Sequence, residues 1–130
     1  MKKSMLLFVL MFSFFGVGCS TLADARAAKG QGAYRIYDKE YIVVWNAALN
    51  TVKNTDLALV TDDKEQGMIL AQRGMTAFSY GENVAIFIEP INGFVKTRVE
   101  VVNKRALATN ITAANWEAKI LEDLDVTLGQ

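Results

Sequence analysis

Apolar and polar positions recur along this chain with more than one period, and each period names an element. Tyr41, Trp45, Ala48, Leu49 and Val52 follow one another at intervals of four, three, one and three, which places them on one helical face. Asp38 stands where its carboxylate can accept amide hydrogens of the first turn, so the spacing predicts a helix over about 38–53. Near the other end, Trp116, Ile120 and Leu124 recur every four residues with Leu121 beside them, behind Thr112 as a cap. That pattern predicts a second helix over about 113–126. Between them, apolar runs at 57–62 and 68–73 flank the polar stretch Asp62 to Gly67 and read as a β-hairpin. Residues 75–83, with Gly81 and Asn83, read as a loop or a short irregular strand. The unbroken apolar run Val84 to Ile88, rich in β-branched residues, fits a strand covered on both faces. After a turn at Pro90, Asn92 and Gly93, the next strand alternates. Val95, Thr97, Val99 and Val101 point to one face, and Phe94, Lys96, Arg98 and Glu100 to the other, so one face is core and the other wet.

The order is helix, four strands, helix. Two amphipathic helices need one apolar surface, and a sheet with short connections offers it. The expected fold is α+β: a two-layer sandwich in which a four-stranded antiparallel meander carries both helices on one face. Its outer face is expected to be mixed, with Lys96, Arg98 and Glu100 charged and Met68, Leu70 and either Ala85 or Phe87 exposed. Aromatic residues at helical spacing, Tyr41 and Trp45, read as core. The helix over 113–126 has an acidic polar face, which suits packing on the sheet and not lying on a membrane.

The start of the chain carries a different pattern. Lys2 and Lys3 precede an apolar run from Met5 to Phe15 broken only by Ser13, the charged and apolar regions of an export signal. Even to Gly18 the uncharged stretch has 14 residues, short of the roughly 20 that a membrane-spanning helix needs. It ends in Gly16-Val17-Gly18-Cys19, which resembles the lipobox of bacterial lipoproteins, with Gly16 where that pattern usually has an aliphatic residue. The resemblance implies a signal peptide over 1–18 and lipidation of Cys19. Ser20 after the cysteine implies sorting to the outer membrane, with the domain on the periplasmic face. A competing processing site, Ala23-Asp24-Ala25, would release a soluble periplasmic protein starting at Arg26. Residues 19–33 are rich in Ala and Gly without an apolar period. They read as the lipidated N-terminus and a flexible tether with a reach on the order of 20 Å, ahead of one domain over 34–130.

Composition narrows the function. Without residues 1–18, 112 residues remain, enough for one domain, with 12 basic against 14 acidic side chains and no block of like charge. Nucleic-acid binding needs a clustered basic face and is disfavoured; Lys104-Arg105 reads as a solvated loop. The chain has no His and a single Cys, so neither a Ser-His-Asp or Cys-His arrangement nor an imidazole metal site nor an intrachain disulfide can form. Gly30-Gln31-Gly32 follows no strand and is not a phosphate loop. Asp62, Asp63 and Glu65 lack the spacing of a calcium loop and read as a turn. What remains is a carboxylate pair, for instance Glu82 with Glu89 or Glu100, as general acid and base; any acidic protein contains such pairs, and without a pocket they mean little. The expectation is no enzyme, no cofactor and no metal.

Tyr41, Trp45 and Ala47, then Asp62, Asp63, Gly67 and Ile69, then Thr97-Arg98-Val99-Glu100-Val101 together resemble small bacterial lipoprotein families of unknown function. More loosely they resemble the helix-grip domains of lipoproteins that accompany outer-membrane protein assembly. The resemblance implies a membrane-anchored interaction or envelope-assembly module with an envelope protein as partner. The alternative is a carrier or sensor of a small apolar ligand, held in a groove lined by Trp45, Trp116 and Phe87.

Overall fold

The computed structural model describes residues 20–74, 81–93, 95–105 and 114–130. In chain order the elements are α1 (Leu22–Ala27), β1 (Ala33–Tyr37), α2 (Tyr41–Lys53), β2 (Ala58–Asp63), β3 (Met68–Arg73), β4 (Glu82–Ile91), β5 (Lys96–Arg105) and α3 (Trp116–Leu128). The strands form one antiparallel sheet in the order β1-β5-β4-β3-β2. The α+β class is as expected, but among the described residues the sheet has five strands where four were expected, and three helices stand where two were expected. The additional strand, β1, pairs with β5 from Ala33↔Val101 to Tyr37↔Thr97.

Helices α2 and α3 cover one face. Val44, Trp45, Ala48 and Val52 of α2 and Trp116, Ile120, Leu121 and Leu124 of α3 pack on Ile69, Ala71, Val84, Ile86, Ile88, Val99 and Val101. Each large side chain so buried contributes about 1.5–3 kcal/mol of transfer free energy. The helix starts differ from the sequence expectation. Glu40, and not Asp38, is the N-cap of α2, without a side-chain cap hydrogen bond, and Asp38 pairs with Lys96, 3.0 Å away. Thr112 and Ala113 lie outside the described residues; α3 begins at Trp116, with the Asn115 side chain accepting from the Ala118 amide at 3.2 Å.

The hairpin from β2 to β3 turns on Asp63, whose carboxylate accepts the Gln66 amide at 2.9 Å. Gly67 follows at φ +65°, and a Cβ there would lie 2.1 Å from the Ile88 carbonyl oxygen. Only glycine allows that backbone approach. The Ile88 amide donates back to the Gly67 carbonyl at 2.7 Å. Pro90, two residues on, points its nitrogen to the same side, past Met68 at the start of β3, so its missing hydrogen costs the ladder nothing. Residues 75–80 and Phe94 lie outside the described residues. Val95, expected on the core face, sits in the turn before β5 and is 65% exposed.

The second face of the sheet is not wet. Met68, Leu70, Ala85, Phe87 and Val102 are buried there beneath Ala25 and Ala28, with Leu22 packed alongside. The segment expected to be a flexible tether is therefore folded onto the sheet, and the ordered chain starts at least as early as Ser20 instead of near Tyr34. The helix that does this is one and a half turns long, and Thr21 and Asp24 close a reciprocal capping box at its start.

Candidate functional site

The feature most unlike an ordinary sandwich is this N-terminal strap, residues 20–32, and the polar grip that holds it. At its start, the Asn83 side-chain amide donates to the Ser20 carbonyl at 3.0 Å. At its end, the fully buried Glu100 carboxylate accepts the amides of Gly30 (2.5 Å) and Gly32 (3.1 Å). Arg98 donates to the other oxygen of Glu100 at 2.9 Å and also lies 3.7 Å from Glu89. Lys29 completes the cluster, paired with Glu89 and standing over the Phe87 ring. Gly32 passes so close to β5 that a Cβ would meet the Val101 carbonyl oxygen at 2.1 Å.

Electrostatics follow from this geometry. Burial pushes the Glu100 carboxyl upward, but the hydrogen bonds from Arg98, Gly32 and Gly30 outweigh it and hold the group below the ordinary carboxylate range. Two hydrogen bonds from Thr21 likewise hold the exposed Asp24 down. On the helix face, burial and then the Asp125 carboxylate, which accepts from the Tyr37 hydroxyl at 2.8 Å, push that phenol far above its usual range.

The residues singled out in the sequence fall in separate places. Glu82 faces the helices, in register with Arg73 and Arg105, and accepts the Ala114 amide at 3.2 Å. Glu89 and Glu100 face the strap. Glu82 therefore pairs with neither, and Glu89 and Glu100 are bridged through Arg98 in a structural cluster. Asp62 and Asp63 end β2, and Lys104-Arg105 ends β5 instead of forming a loop. Tyr41 and Trp45 stack with centroids 6.1 Å apart, Trp45 in the core. Trp45 and Trp116 lie on the helix face and Phe87 on the strap face, so the three do not line one groove. Cys19 lies outside the described residues, one position before Ser20.

Among the described residues a groove opens towards each end of the sheet. One, of about 430 Å³, is lined by Glu40, Tyr41, Ile42, Gly93 and Val95. The other, of about 320 Å³, is lined by Ser20, Asp24, Ala27, Ala28, Gln31 and Lys104. Among the described residues no group of three or more Cys, Asp or Glu side chains is placed to hold a metal ion, and no helix is long and apolar enough to cross a membrane. No protein-family model and no curated protein matches the chain.

Proposed function

We propose that this protein is a lipoprotein, anchored through diacylglycerol on Cys19 to the periplasmic face of the outer membrane, whose folded domain is a non-catalytic module that binds an envelope protein. A diacylglycerol thioether brings two acyl chains, enough for stable anchoring. The observation that carries the proposal is that the chain next to the cysteine is already folded onto the sheet, with Ser20 held by Asn83 and Ala25 and Ala28 buried. Processing before Arg26 would cut through α1 and discard both its capping box and the fully buried Ala25, which favours the cysteine as the mature start. Between module and ligand carrier, the packing favours the module. Both faces of the sheet are filled by the chain's own side chains, which leaves strand edges, turns and the outer surface of the helices to meet a partner, among them the exposed Ile42 and Val43 in the first turn of α2 and Val95 in the turn before β5.

The test is photo-crosslinking in intact cells from position Val95, run beside a titration of tryptophan fluorescence with fatty acids. The expected result is a discrete protein adduct that disappears when Cys19→Ser removes the anchor, with no saturable change in fluorescence. A saturable shift without any adduct would turn the assignment to the ligand carrier.

A further inference from the structure

The strap changes where an anchored domain must sit. We infer that the end of the sheet carrying Asn83, Lys104 and Arg105 lies against the bilayer, its cations facing anionic headgroups, and that the opposite end points away from the membrane. This rests on the proposed lipid at Cys19.

Consecutive Cα atoms are about 3.8 Å apart, so an acylated Cys19 lies within a few ångströms of Ser20, and Ser20 is hydrogen-bonded to Asn83. Residue rows identify the end in question. Gln72, Asn83 and Lys104 stand side by side across β3, β4 and β5, and Arg73, Glu82 and Arg105 form the last row. With residues 20–32 bound along the sheet, the reach on the order of 20 Å that a free coil would allow is not available. Charge is distributed to match. Lys53 at the end of α2, Lys104 and Arg105 all stand at the anchored end, where Asp24 and Asp56 are the exposed acids among the described residues. The opposite end carries Asp38, Glu40, Asp62, Asp63 and Glu65 against Lys39, Lys64 and Lys96. That end also holds the groove at Tyr41, Ile42 and Val95. Strands β4 and β5 have 10 residues each, so the groove stands on the order of 30 Å from the anchored end, beyond the Debye screening length of about 8–10 Å. Its acids are then spared repulsion from the headgroups.

The experiment uses the full mature lipoprotein in vesicles of phosphatidylethanolamine and phosphatidylglycerol bearing a headgroup quencher. A fluorophore is attached to Gly74→Cys, at the anchored end with no atom near the site of a new Cβ, or to Val95→Cys at the other end. The protein is expected to float with the vesicles, the label at 74 to lose most of its emission, and the label at 95 to lose little. Inserting a Gly-Ser linker of about 14 residues between Cys19 and Ser20 restores a reach on the order of 20 Å and should relieve the quenching at 74 without changing flotation. Replacing phosphatidylglycerol with phosphatidylcholine should weaken it. Flotation with equal quenching at both positions, or quenching at 74 that ignores the linker, would overturn the orientation while leaving the anchor intact. Quenching unchanged by phosphatidylcholine would overturn the role of the cations. Failure to float, with no lipid on Cys19, would overturn the anchor and the orientation together.

Discussion

Glu100 accepts the amide hydrogen of Gly30 from 70 positions along the chain, and this bond ties the N-terminal strap to the middle of the sheet. Because Glu100 is fully buried, its oxygens depend on the chain for every partner, and Gly32 and Arg98 supply the rest.

Replacing Glu100 with Ala leaves two amides and a guanidinium without their acceptor. The expected loss is about 2–3 kcal/mol, read from urea denaturation. Glu100→Gln, which keeps one acceptor oxygen, should cost less. In both variants the amides of Gly30 and Gly32 should exchange with deuterium faster than those of β4. Unchanged stability and exchange would show that the strap is held by its apolar contacts alone.

Acid should loosen the same contact. The folded Glu100 carboxyl titrates below the ordinary value of 4.5, so its contribution is present above that value and is lost as the pH falls below it, through the folded value. Urea midpoints measured across this range should decline more steeply for the parent protein than for Glu100→Gln. Parallel curves would remove Glu100 from the account of acid stability.

Alkali should act on the other face. Tyr37 titrates above its ordinary value of 10.0 when folded, so its contribution is intact below that value and is lost as the pH rises above it, where the unfolded chain ionises first. Tyr37→Phe forfeits the hydrogen bond to Asp125, at a cost of about 1.5–3 kcal/mol near neutrality, and should flatten the decline above pH 10. A decline as steep as that of the parent would assign alkaline sensitivity to another group.

Gly32→Ala places a methyl group 2.1 Å from the Val101 carbonyl oxygen, and relief requires a backbone shift at a cost of about 1–3 kcal/mol. Gly74→Ala, with nothing within 4 Å of the new carbon, is the control and should change stability by less than about 0.5 kcal/mol. Equal effects at the two positions would contradict the close approach of the strap to β5.

The elements with long apolar periods were legible in the sequence. Trp45, Ile120 and Leu124 announce their helices, and the run from Val84 to Ile88 announces a strand buried on both faces. Helix α1 was not, because it has six residues and buries mainly Ala25 and Ala28, side chains too small to mark a periodic stripe. Strand β1 escaped because Tyr34, Arg35 and Ile36 are all exposed, so its edge position leaves no alternation to read. Alternation in β5 placed Glu100 on the correct face, but it reports direction only. Whether that face meets water or a distant segment depends on Gly30 and Gly32, whose contribution is backbone amides that no side-chain pattern displays. The run before Cys19 is a local pattern that spacing displays; the folding of the strap onto the sheet is not.

The central claim is that Cys19 is the lipidated first residue of the mature protein, and the intact mass of the chain recovered from the envelope, with its N-terminal peptide sequenced, tests it most directly. The expected result is a start at Cys19 carrying diacylglycerol. A free N-terminus at Arg26 on a soluble protein would contradict the anchor, and with it the strap as the link between membrane and domain.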